Sequence, residues 1–239
     1  MAYTVLYKAL IGSSALGASV DQSDKDYVYI YVEDLRDILS ITHEVVPVDE
    51  HGDDSDISRH SLRHFGSLVY NGNPNMVFAL SSPEQTAHQY FRVDKWLELL
   101  RTQSTIRRYH QLFTNHVKRY LQPPLGKTIE IPKSRKYLYD QFGYDVKAAY
   151  HLSRCGFEAM ELAKHGKLVY PDDKKSAIYR KIRSGAIGYD EFCKFELPRI
   201  EDDILTAIQL AECTLPENAD LDDINEELYV THWNVWDLV

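Results

Sequence analysis

Gly12-Ser13-Ser14-Ala15-Leu16-Gly17-Ala18-Ser19-Val20-Asp21-Gln22-Ser23-Asp24-Lys25-Asp26 runs straight into Tyr27-Val28-Tyr29-Ile30-Tyr31-Val32. The second part is dense in β-branched and aromatic residues and is the clearest strand of the chain. Side chains at i and i+2 share one face of a strand, so a strand reaching back to Asp24 projects Asp24 and Asp26 together. Two carboxylates on one face repel each other unless a cation lies between them. Oxygen ligands of this kind suit a hard divalent ion, above all Mg2+. Gly12 allows the backbone to approach a ligand closely, and its N–H together with the Ser13 hydroxyl suits a phosphate at a helix start. Each piece alone is ordinary turn chemistry. The information lies in their order and separation ahead of a strong strand.

Tyr3 to Ala9 reads as a short apolar stretch of helical character leading to Leu10-Ile11, and Ser13 to Ala18 as the opening of a short helix. Glu33 to Ser40 reads as a further short helix. His43 to Val48 reads as an extended segment or edge strand, because Pro47 interrupts pairing. Asp49 to Ser55 is a polar loop and Asp56 to Arg59 another strand. Ser61 to Tyr70 spaces Leu62, Phe65, Leu68 and Val69 as a helix does.

Beyond Asn73-Pro74 the pattern turns helical. Asp94 to Leu121 forms one long helix or two, and Pro123-Pro124-Leu125-Gly126 breaks it. Asp145 to His165 is a helix with Gly166 at its stop, and Ile178 to Ser184 and Tyr189 to Glu212 add more. Leu215-Pro216 opens an acidic tail segment that ends in Trp233 and Trp236. The predicted class is α/β (α+β), with a mixed-sheet core over residues 1–90 and a mostly helical half over residues 91–239.

The 239 residues carry a net charge of −9, which argues against a general nucleic-acid coat protein. The distribution is uneven. Arg101, Arg107, Arg108, Lys118, Arg119, Lys127, Lys133, Arg135 and Lys136 stand against the single acid Glu130, whereas acids dominate from Asp190 onward. Such asymmetry reads either as a local anion-binding surface or as a solvated helix face. No apolar run approaches the roughly 20 residues that span a bilayer. Met1 to Leu10 lacks a long apolar segment, which argues against a signal peptide. Cys155, Cys193 and Cys213 form no CxxC pair, in keeping with a reducing compartment. The expected setting is therefore cytoplasmic.

The Gly12 to Asp26 segment resembles the signature of DNA polymerase β superfamily nucleotidyltransferases, in which Gly-Ser precedes an Asp-x-Asp or Asp-x-Glu pair by about ten residues. It is most similar to a branch of predicted nucleotidyltransferases of bacteria and phages that reads Gly-Ser-x-Ala-x-Gly-(x)5-Ser-Asp-x-Asp. The likeness continues at Ser61-Leu62-Arg63-His64-Phe65, Gly72-Asn73-Pro74, Lys147/His151/Arg154 and Leu215-Pro216-Glu217. Four positions depart from the branch. Ser14 replaces a basic residue, Lys25 an apolar or aromatic one, His64 a lysine and Phe78 a glutamate.

The resemblance implies a polymerase-β-like core and transfer of a nucleoside monophosphate from an NTP, ATP foremost, with release of pyrophosphate. It implies a carboxylate set of Asp24, Asp26 and Asp56 holding two Mg2+ ions, with Mn2+ as a substitute. Asp56 is favoured over Asp53 and Asp54 because only Asp56 is followed by residues suited to a strand. The triphosphate would lie against Gly12 and Ser13. Lys147, His151 and Arg154 share a helix face at i, i+4 and i+7 and are expected at the nucleotide, with a surface helix as the alternative. RNA, such as a tRNA end, or a protein side chain is the expected acceptor ahead of a small molecule, and no membrane is involved. A degenerate nucleotide sensor and an antitoxin-like interaction module are the alternatives on this fold. His51, His60, His64 and His88 show no metal-ligand spacing.

Overall fold

The computed structural model describes residues 3–19, 25–39, 49–51, 55–122, 125, 128–129 and 131–237. Asp24, Asp53, Asp54, the His43 to Val48 segment and most of Pro123 to Gly126 lie outside them.

The first third is built of β1 (Tyr3–Ile11), α1 (Gly12–Ala15), β2 (Lys25–Glu33), α2 (Leu35–Ile38), β3 (Asp49–His51), β4 (Ser55–Ser61), α3 (Leu62–Tyr70), α4 (Pro74–Leu80) and β5 (Gln85–Ala87). The strands form one mixed sheet in the order β3-β4-β2-β1-β5. Only β2 and β4 run parallel.

The expected strands at β2 and β4 and the helix at α3 are present. The Ser61 hydroxyl caps α3 by accepting the His64 N–H, which offsets one of the unpaired donors of a helix start. The helical reading of Tyr3 to Ala9 is wrong, because β1 is a strand. Its central position buries residues on both faces (Leu6, Tyr7, Ala9 and Leu10), and the register shifts between Val5 and Tyr7. Both effects erase the period-two pattern. The polar loop expected over Asp49 to Ser55 instead holds β3, which pairs with β4 as an edge strand.

From Val93 the chain is helical. It runs through α5 (Val93–Leu100), α6 (Gln103–His116) with a π-helical continuation (Val117–Leu121), a 3-10 turn (Lys133–Arg135), α7 (Lys136–Phe142), α8 (Val146–His165), α9 (Asp173–Arg183) and α10 (Tyr189–Glu191). A second π-helical turn (Phe192–Glu196) leads into α11 (Leu197–Thr214) and then α12 (Leu221–Val235). The segment read as an acidic tail is thus a helix, α12, capped by the Asp220 carboxylate, which accepts the Asp222 and Asp223 N–H groups.

α8 is the pillar of this half. The Asp145 carboxylate accepts the Ala148 N–H at its start, and Gly166 ends it at φ 75°. α6, α9 and α11 pack around it. A continuous core runs from Leu6 in β1 through Phe65 and Trp96 to Ile224 in α12. α12 lies over α3, with the Leu228 side chain seated on Gly66. At its end the Trp236 indole N–H donates to the Glu33 carbonyl at 2.9 Å. No helix among the described residues is long and apolar enough to cross a membrane.

α8 and α11 pack closely at Gly156, where a Cβ would lie 3.1 Å from Ile200 Cγ2 and 3.3 Å from the Ile200 carbonyl oxygen. A branched side chain there forces the helices apart. Gly156→Val is therefore expected to lower stability by about 1–3 kcal/mol, the usual cost of overpacking, as read from the urea unfolding midpoint.

Candidate active site

The register of the sheet brings the two described carboxylates of the signature side by side. In β1–β2 Ile11 is opposite Asp26, and in the parallel β2–β4 pair Asp26 is opposite Asp56. Neighbouring strands lie about 4.8 Å apart, and register partners share a face, so Asp26 and Asp56 stand as neighbours at one end of the sheet. Both are partly exposed. Lys25 alternates to the opposite face and is exposed.

α1 follows β1 without a linker, and its first residue abuts the carboxylate. Gly12 has φ 73°, and a Cβ built on it would fall 2.2 Å from Asp26 Oδ2. Only glycine satisfies both conditions, since the left-handed region is costly for other residues and the space is already taken. The end of β1 is fixed from the other side, where the Ser82 hydroxyl donates to the Leu10 carbonyl at 2.7 Å and the Leu10 N–H donates to the Glu84 carbonyl at 3.0 Å. Among the described residues no group of three or more His, Cys, Asp or Glu is gathered around one point. The third member of the signature, Asp24, is not among those residues.

The loop that follows α1 is held by α9. The Ser176 hydroxyl donates to the Leu16 carbonyl, Arg180 to the Gly17 carbonyl and Arg183 to the Ala18 carbonyl, each at 2.6 Å. Within the loop, the Ala18 N–H returns to the Ser13 carbonyl at 2.9 Å and the Gly17 N–H to the Ser14 carbonyl at 3.2 Å. Sequence reasoning does not single out these three residues. Their 4- and 3-residue steps mark one helix face, but the expected helix begins only at Ile178 and no pattern says which neighbour a helix face meets.

The Lys147, His151 and Arg154 face divides. Lys147 is exposed, while Arg154 is buried and committed. The Arg154 Nε donates to Glu158 Oε1 at 2.7 Å, and its guanidinium lies 4.0 Å from the centroid of the Phe78 ring. Phe78 is itself stacked on Tyr170, 4.9 Å between centroids, and its carbonyl accepts the Tyr170 hydroxyl. The position where the resemblance calls for a glutamate is thus part of the core. His151 is half-buried beside Tyr150. Burial, followed by the charges of Arg154, Lys147, His116 and Arg135, holds its pKa well below the ordinary 6.5. His60 and His64 pack edge to face, and burial also lowers the His60 pKa.

The basic run likewise divides. Arg107 pairs with Glu212, Arg101 donates to the Ala163 carbonyl and Arg108 to the Asn71 carbonyl. Arg135 pairs with the buried Asp145 at 2.7 Å. Lys118, Arg119, Lys133, Lys136 and Lys147 have no carboxylate partner among the described residues. Lys127 and Glu130 are outside those residues.

A family model described as the RNA repair pathway DNA polymerase beta family matches residues 2–181. The chain belongs to that family. The match takes in the whole sheet, the Gly12-Ser13 loop, α8 and all but the last two residues of α9. Membership in the RNA repair pathway DNA polymerase beta family gives the α/β core its class and the chain a nucleotidyltransferase-type function in general terms. No curated protein and no solved structure matches the chain.

The lowered pKa of His151 has a consequence for stability. The unfolded chain binds a proton on this residue more readily than the folded one. The resulting stability is present above pH 6.5 and is lost as pH falls through that value toward the lowered one. The urea midpoint should therefore decline as pH falls below about 6.5, and His151→Gln should flatten the decline. A residual slope is expected from His60 and His116, whose pKa values burial also lowers.

Proposed function

We propose that the chain transfers a nucleoside monophosphate from an NTP, ATP foremost, to a hydroxyl group of RNA, with Asp24, Asp26 and Asp56 as its carboxylate set. The observation that carries this reading is the Asp26–Asp56 pair in parallel register, with the Asp26 carboxylate pressed against the backbone of the Gly12-Ser13 loop. Two carboxylates on neighbouring strands beside a phosphate-type loop are suited to a shared divalent cation. The donor set, carboxylate oxygens on neighbouring strands, fits Mg2+ or Mn2+. When bound there, such ions supply positive charge that stabilises the transferring phosphoryl group and its leaving pyrophosphate.

The chain's own groups have separate tasks. Gly12 leaves the backbone bare where the triphosphate approaches, and the Ser13 hydroxyl and loop N–H groups donate to its oxygens. In this reading Asp56 accepts the proton of the attacking hydroxyl, a role that needs hydrogen-bond reach. Lys147 and His151 serve the phosphates from the helical side, while Arg154 braces α8 against α4. The acceptor reading rests on the family's description as an RNA repair pathway family and on the lysines and arginine without acid partners near α6, α7 and α8. Such charges bind a phosphate backbone in a salt-dependent way.

The test is incubation with each α-labelled NTP, Mg2+ and total RNA or lysate. Label is expected in RNA. Asp26→Asn and Asp56→Asn should each reduce it by roughly 100-fold or more, as several kcal/mol of lost charge stabilisation requires. Wild-type transfer by Asp26→Asn would sink the assignment. Label in protein would overturn the RNA acceptor, and ATP binding without release of pyrophosphate would make the chain a nucleotide sensor.

A further inference from the structure

We infer that α9 forms the cationic wall of the triphosphate site, with Arg180 binding phosphate oxygens while it holds the loop. This rests on the reading above that an NTP occupies the Gly12-Ser13 loop. Two neighbouring guanidinium groups converge on consecutive carbonyls of that loop, Arg180 on Gly17 and Arg183 on Ala18. Ala18 is itself tied by its N–H to the Ser13 carbonyl, and Gly17 to the Ser14 carbonyl. Arg183 is therefore linked through Ala18 to Ser13, and Arg180 through Gly17 to the adjoining Ser14.

The loop needs charge from outside itself. Ser14 is neutral and bonds to the Ser19 hydroxyl. Among the described residues, Gly12 to Ser19 contains no Lys or Arg. α1 is a single turn, too short to contribute a full helix dipole. Neutral donors would be enough merely to satisfy the carbonyls, as Ser176 does for Leu16. Arginine brings a fork of about five N–H donors and a permanent charge. Arg180 spends one N–H on Gly17, is exposed, and has no carboxylate partner among the described residues. The planar fork suits phosphate oxygens in particular. Ser176 and Arg183 are then positioning residues. Gly17 takes part in the same contact, since a Cβ on it would lie 3.3 Å from Ser176 Oγ.

The experiment measures calorimetric affinity for ATP with Mg2+ and, separately, for AMP, on the full chain and its Arg180→Ala, Arg180→Lys and Ser176→Ala variants. Arg180→Ala is expected to weaken ATP binding about tenfold or more, the loss of a charge-assisted hydrogen bond, and to leave AMP binding unchanged. Arg180→Lys should recover part of the loss, and Ser176→Ala should weaken both ligands together. Unchanged ATP affinity in Arg180→Ala overturns the inference. Equal losses for ATP and AMP also overturn it, because Arg180 is then only a brace. If the unaltered chain binds neither nucleotide, the proposed function fails and this inference with it. ATP binding without transfer to RNA refutes the proposed reaction and leaves the role of Arg180 standing.

Discussion

The side chain missing at residue 12 sets the position of everything around it. The space where a Cβ would sit belongs to Asp26 Oδ2, and the backbone at Gly12 takes a left-handed turn that carries the chain from β1 directly into α1. The second glycine of the signature has the same character with a different neighbour. Gly17 has φ 62° and faces Ser176 of α9. One glycine therefore fits the loop to the sheet and the other fits it to the helical half. The carboxylate end of the sheet and α9 are held at a fixed separation by a short stretch of chain between them. Any residue with a side chain at either position would move one partner relative to the other.

The helical half owes its rigidity to polar groups buried in α8 as well as to apolar packing. Arg154 and Glu158 form a buried pair one turn apart, and Asp145 is fully buried between its capping role and Arg135. Buried pairs of this kind contribute little net stability, because desolvation offsets their attraction. What they impose is orientation. With its guanidinium fixed to Glu158 and stacked on Phe78, Arg154 locks the rotation of α8 against α4. That rotation turns Tyr150 toward Tyr179 of α9, 5.3 Å between ring centroids at a near-perpendicular angle, and so sets where α9 meets the loop.

The legible parts of the sequence were those with one buried face and clear ends. β2, α3 and α8 announce themselves through composition, helical spacing and caps at Ser61, Asp145 and Gly166. The choice of Asp56 comes from the family resemblance together with the strand pattern that follows it, and its register opposite Asp26 is given by the sheet. β1 was unreadable for a physical reason, since a central strand buried on both faces with a shift at Val5/Tyr7 loses its alternation. β3 is a three-residue polar edge whose identity comes wholly from its partner. α12 buries only Ile224, Glu227 and Thr231 as a narrow stripe, too weak to separate from a charged tail. The Lys147, His151 and Arg154 spacing correctly placed three residues on one helix face, but spacing carries no information about direction. Arg154 turned inward because Glu158 and Phe78 offered it a partner and a ring.

The net charge of −9 and the proposed triphosphate site are compatible because screening makes electrostatics local. At physiological ionic strength the Debye length is about 8 Å, so acids on α11 and α12 act mainly on their own neighbours. Several are in fact paired there, Glu227 with Arg92, Asp223 with Lys95 and Glu212 with Arg107. These pairs take up Arg92, Lys95 and, from the basic run, Arg107, and leave the local field of Lys118, Arg119, Lys133, Lys136 and Lys147, which have no carboxylate partner among the described residues, unopposed. A triphosphate or a nucleic-acid backbone responds to that nearby field and not to the sum over the chain. The acidic C-terminal helices thus neutralise Arg92, Lys95 and Arg107, while Arg180 and Arg183 of α9 lie on the loop that follows Gly12-Ser13.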